Sequence, residues 1–104
     1  MSYRSRFASE KTDEFFHAIL ALESLEDCYR FFEDLCTASE LVAMAQRVQV
    51  AKMLLEEYTY QDSATLTGVS SATISRVKRS LKYGADGYTR ILKKLEEQKE
   101  PDNK

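Results

Sequence analysis

Apolar residues recur along this chain at helical spacing, and no stretch alternates in the manner of a strand. Phe15, Phe16, Ile19, Leu20 and Leu22 form the first group. Thr12 precedes them as a cap, and Asp13 and Glu14 fill the opening turn, where acids suit the helix dipole. Leu25, Cys28, Tyr29, Phe32 and Leu35 then recur as one stripe after Ser24, with Glu26, Asp27, Glu33 and Asp34 on the wet side. Thr37 and Glu40 have the spacing of a capping box and open a long helix that should reach about Glu57. Leu41, Met44, Ala45, Val48, Ala51 and Leu55 line one face of it, and Val50 and Leu54 an adjacent one. A helix of roughly 20 residues spans about 30 Å. Apolar over that breadth, it asks for more cover than 104 residues readily supply, which points to a homodimer.

Residues 60–82 read as two short helices joined by a tight turn. Gly68 is the only glycine in the first 83 residues, and it stands where one helix must end and the chain reverse. Ala64, four residues earlier, is small enough for a close crossing, and Val69 can plug the gap. Ile74 and Val77 give the second helix an inward edge, and Ser70 or Ser71 can cap it. Its other face carries Ser71, Ala72, Thr73, Ser75, Arg76, Lys78 and Arg79, with Lys82 beyond. Small polar groups come first and cations follow, as in the recognition helix of a helix-turn-helix. Small side chains let a helix approach base edges, while Arg and Lys reach phosphates. Ser63 and Thr67 depart from the pattern, since the first helix of such a pair normally offers apolar residues there.

Gly84 and Gly87 should end that helix and allow a reversal into a last helix bearing Tyr88, Ile91, Leu92 and Leu95. Residues 1–11 carry Arg4 and Arg6, either as a basic arm or simply as a loose terminus; residues 97–104 should be flexible as well. The whole, residues 1–104, reads as one all-α domain of six helices.

Charge changes the picture more by its distribution than by its sum. The formal net charge is −2, yet residues 12–40 hold eight acids and one base, and residues 70–83 four bases and no acid. The local patch, not the total, favours nucleic acid. Cys28 and Cys36 would be about 12 Å apart on one helix by rise alone, too far for a bridge. They read as reduced core residues in a cytoplasmic protein without a membrane span. With one histidine, His17, no metal cluster, nucleophile–base pair or phosphate loop can be assembled, so an enzyme is the weakest reading.

Six helices with the turn motif at the fourth and fifth resemble the tryptophan repressor family. The residues that carry the resemblance are Gln46-Arg47-Val48 leading into Leu54-Leu55, Ala72-Thr73-Ile74-Ser75-Arg76, and Ser80-Leu81-Lys82. The stretch from Tyr83 to Tyr88, Tyr-Gly-Ala-Asp-Gly-Tyr, is similar to that of the repressor-related YerC/YecD group. The resemblance implies an intertwined homodimer, two recognition helices and a transcriptional repressor on near-palindromic double-stranded DNA. It also implies a corepressor site: Arg47 and Arg76 flanking an indole, Thr37 and Ser80 as its polar contacts. Val77 replaces the repressor's glycine after Arg76, and its methyl groups should crowd the indole. Overpacking of that kind costs about 1–3 kcal/mol, so L-tryptophan is not the expected ligand, although a different small-molecule corepressor fits the same residues. Asp62 stands where the repressor has a basic contact residue, so the operator should differ.

The expected function is a sequence-specific DNA-binding regulator. Its interface would comprise Gln61, Ser70, Ser71, Ala72, Thr73, Ser75, Arg76, Lys78, Arg79 and Lys82. The alternative is a protein-interaction module that uses the same hairpin to hold another helix, as some sigma-factor-like domains do.

Overall fold

Ser9 starts the first helix. A computed structural model of the chain describes residues 3–99 and contains six α-helices in that span. Helix α1 runs Glu10–Leu20, and the Ser9 hydroxyl accepts from the Thr12 backbone N–H at 3.1 Å. The expected cap, Thr12, therefore lies inside the first turn. Ser9 offers the same chemistry three residues earlier and brings Glu10 into the opening turn beside Asp13. Helix α2, Leu25–Leu35, has its expected cap: Ser24 Oγ accepts from Asp27 N–H at 3.0 Å, and Asp27 in turn accepts from Glu23 N–H.

Neither α1 nor α2 contains a buried residue. Phe16, Leu20, Leu25 and Tyr29 are all more than half exposed in the single chain, and His17 is exposed too. Phe31, which the sequence stripe left out, is half-buried and meets Phe32 edge-on at 5.4 Å. Cys28 and Cys36 are half-buried free thiols.

The chain divides between Ala38 and Ser39 into two units, and the second has its own core. Helix α3, Ala38–Leu55, supplies Val50, Ala51 and Met53 to the interior. Ala51 comes from the face the pattern marked and Val50 from the adjacent one, while Met53 belongs to neither. Val48 and Leu55 are 44% and 43% exposed, and Val42 is 55% exposed. The α3 residues buried in the single chain all lie in its C-terminal half. An all-round apolar helix gives no periodic hint of which side will be buried.

Helix α3 stops on a Schellman arrangement. Tyr58 N–H donates to Met53 O at 3.0 Å, Glu57 N–H to Leu54 O at 3.1 Å, and Glu57 adopts φ 72°. A glutamate thus holds a left-handed position that glycine would occupy more easily.

Helices α4 (Tyr60–Thr67) and α5 (Ser71–Tyr83) pack as a pair, and α6 (Gly87–Lys99) follows. Val50, Ala51, Ile74 and Val77 are essentially inaccessible at the centre, with Leu54, Ala64, Val69, Leu81, Tyr88 and Leu92 packed around them. Ala64 and Val69 therefore hold the places that the turn pattern assigned to them.

The reversal before α6 departs from expectation. The left-handed residue is Asp86, at φ 69°, and not a glycine. Gly84 is required for space: a Cβ there would lie 2.5 Å from the Ser80 carbonyl oxygen. Helix α6 also continues to Lys99, past the expected fraying point at residue 97, and residues 100–104 lie outside the described chain. No helix among the described residues is long and apolar enough to cross a membrane.

Candidate nucleic-acid interface

The helix pair is fixed from both ends by side chains that satisfy backbone groups. Thr59 caps α4 in a full capping box: its hydroxyl accepts from Asp62 N–H at 2.9 Å, and the Asp62 carboxylate receives Thr59 N–H at 3.5 Å. Asp62 therefore has a task in the helix start, apart from any external contact.

Gly68 closes α4 at φ 71°, with its N–H on Ala64 O at 2.9 Å. Nothing lies within 4 Å of where its Cβ would stand, so backbone angle alone selects glycine there. Ser70 then caps α5, accepting from Thr73 N–H at 3.2 Å.

The two polar departures, Ser63 and Thr67, are accounted for by local bonds. Ser63 is fully buried, and its hydroxyl donates to Thr59 O at 3.0 Å. Thr67 donates to Ser63 O at 2.6 Å and accepts from Val69 N–H at 3.1 Å. Each hydroxyl bonds to the backbone a turn away, so the pair is polar by composition yet satisfied in its packing. Thr67 also braces the turn that carries Val69.

Helix α5 turns Ile74 and Val77 inward. At about 100° per residue, Ala72, Ser75, Arg76, Arg79 and Lys82 fall on the opposite side, with Ser71 and Lys78 on one flank. All seven are exposed, as is Gln61 on α4. Thr73 is half-buried on the other flank, and its hydroxyl meets Ser70 Oγ at 3.1 Å. Ser70 is itself exposed but committed to capping. Of the ten residues expected at the interface, eight thus present exposed side chains free of that capping role.

One residue absent from the expectation is central to the geometry. Tyr60, the first residue of α4, reaches across the pair. Its hydroxyl donates to Ser71 O at 2.9 Å and lies 3.3 Å from Ser75 Oγ. Only the position of a tyrosine at the first turn hinted at this, and a contact between residues 11 and 15 apart in sequence has no periodic signature.

The residues implied for a corepressor are placed as follows. Ser80 is half-buried and lines a cleft of about 500 Å³ with Val48, Gly84, Ala85, Tyr88, Ile91 and Leu92. Arg47 and Arg76 are exposed and do not line that cleft, and Thr37 precedes α3. Val77 is 1% exposed, its methyl groups taken up by the core. No cluster of potential metal ligands occurs among the described residues.

A six-helix all-α chain with a capped, glycine-turned helix pair and a cationic outer face is a helix-turn-helix protein. Residues 10–96 match the Trp repressor protein family, and the chain belongs to that family of non-enzymatic regulators. It is 50% identical to the uncharacterized protein YerC of Bacillus subtilis over 92 residues, 88% of each chain. A crystal structure of a candidate Trp repressor from Staphylococcus aureus superposes with a TM-score of 0.85 at 50% identity, covering 88% of this chain and 91% of that one. A TrpR-like protein from Eubacterium eligens gives 0.81 at 52% identity, covering 84% and 90%.

Proposed function

We propose that the protein is a sequence-specific DNA-binding transcriptional regulator that docks the outer face of α5 in the major groove. The observation that carries this reading is the division of α5. Ile74 and Val77 lock one side into the core, while Ser71, Ala72, Ser75, Arg76, Arg79 and Lys82 face outward without an acid among them. The small residues at its N-terminal end suit base edges, and the cations along it suit phosphates. Gln61 and Lys78 extend the contact at the margins.

The functional unit in this reading is a cytoplasmic homodimer that represses from a near-palindromic operator. The uncovered apolar residues of α1, α2 and the first half of α3 support a second copy as their cover. Two recognition helices would then stand about 34 Å apart, one turn of duplex.

L-tryptophan is not the corepressor in this reading. Val77 fills the interior beside Arg76, and the implied arginine pair lies outside the cleft that Ser80 lines. Calorimetric titration of L-tryptophan into the wild-type chain tests this: no binding at micromolar concentration is expected, and micromolar binding would refute it.

Recovery and sequencing of genomic fragments retained by the protein tests the function as a whole. A shared near-palindromic sequence is the expected result. Fragments without a common sequence would overturn specific recognition.

A further inference from the structure

The contact between Tyr60 and Ser75 has a direction, and that direction follows from counting protons. A tyrosine hydroxyl carries one proton, and a carbonyl oxygen only accepts. The 2.9 Å contact from Tyr60 to Ser71 O must therefore use the Tyr60 proton. In the 3.3 Å contact with Ser75, the Tyr60 oxygen is left to accept and the Ser75 hydroxyl to donate.

The usual competitors for that serine proton are the carbonyls three and four residues back; the Ser75 hydroxyl meets Tyr60 rather than the first of these, Ala72 O, and the second is Ser71 O. That oxygen has two lone pairs. In the helix it receives Ser75 N–H, and Tyr60 takes the other. The serine proton is thus held by Tyr60, and the Ser75 oxygen presents only lone pairs outward.

We propose that Tyr60 makes Ser75 an acceptor-only reader, restricting it to base edges that carry an exocyclic amine: N4 of cytosine or N6 of adenine. Guanine N7 and O6 and thymine O4 are acceptors in the major groove and cannot bond to a serine whose proton is committed. Tyr60 is a positioning residue here, because it touches Ser75 and α5 but reads no base itself. The proposal rests on the reading of α5 as the recognition helix and adds to it the base class sensed at one position.

The test selects duplexes from a random library with the wild-type protein, Ser75→Ala and Tyr60→Phe, each checked for helix content. The position whose preference disappears in Ser75→Ala is the one Ser75 reads. Wild type should prefer cytosine or adenine there. Tyr60→Phe should spread that preference across all four bases while keeping the others and the salt dependence. Replacing the preferred base by an analogue without the exocyclic amine should weaken wild type by about 3- to 10-fold, the worth of one hydrogen bond. The same replacement should leave Ser75→Ala unchanged, which keeps the test valid should Tyr60→Phe fail to fold.

A Ser75-dependent preference for guanine or thymine would overturn the proposal. So would an unchanged preference in folded Tyr60→Phe, or a Ser75→Ala protein with no altered position. Absence of duplex binding by the wild-type chain at low salt would instead overturn the recognition-helix reading beneath it.

Discussion

The residues before Ala38 and those after it carry similar apolar patterns to different ends. In α1 and α2, helical stripes of Phe, Leu and Tyr lead to no buried residue within the single chain. In the second unit, α3, α5 and their neighbours enclose a core around Val50, Ala51, Ile74 and Val77. The lesson is that periodicity declares that a helix face wants cover, without saying which partner supplies it. A self-sufficient helix-turn-helix can present a fixed outer face. Helices that bury nothing alone are suited to association.

The sharpest way to break this contrast is to remove one side chain from each part. Ile74→Ala should destabilise by about 2–5 kcal/mol, the range for emptying a buried aliphatic site. Urea unfolding should report that loss at every protein concentration. Phe16→Ser should behave differently, with little effect at high concentration and a loss of stability that grows on dilution. A Phe16→Ser loss independent of concentration would show that α1 is not an association surface.

Two backbone positions within the self-contained unit should respond with opposite signs. Gly68→Ala places an L side chain at φ 71° and should cost about 1–2 kcal/mol. Glu57→Gly relieves the same strain at φ 72° and should stabilise by up to about 1 kcal/mol. Thermal unfolding of the two variants measures both. Destabilisation by Glu57→Gly would mean that the Schellman end of α3 is held by more than backbone geometry.

Loss of a cap should matter less than loss of core. Ser70→Ala removes the acceptor for Thr73 N–H and should cost about 1 kcal/mol. The smallest effect belongs to the first unit. Arg30 and Glu26 pair at 2.7 Å with both side chains largely exposed. Solvent screening limits Glu26→Gln to at most about 0.5 kcal/mol, vanishing in high salt.

Much of the turn motif was legible because local chemistry specifies it. Gly68, Ala64, Val69, Ile74 and Val77 each have one role that their size or backbone freedom permits, and the structure places them in it. Ser24 likewise caps α2 as its position suggests. What escaped was decided by choice among equals or by distance. Ser9 and Thr12 are both cap residues, and only the chain path selects between them. Helix α3 is apolar on several sides, so Val50 and Met53 could not be preferred over Met44 and Val48. Ser63 and Thr67 looked out of place because a residue type does not reveal its hydrogen-bond partner. Tyr60 was invisible as a clamp because its partners belong to the next helix.

If the outer face of α5 neutralises phosphates, duplex binding must depend on salt. Affinity for a recovered operator duplex, followed by fluorescence anisotropy across a range of salt, should fall steeply. The slope of log affinity against log salt should be about −0.9 for each phosphate contacted. Arg79→Ala should weaken binding to all sequences and make that slope shallower by about 1. No duplex binding at low salt, or a slope untouched by Arg79→Ala together with Lys78→Ala and Lys82→Ala, would contradict the account.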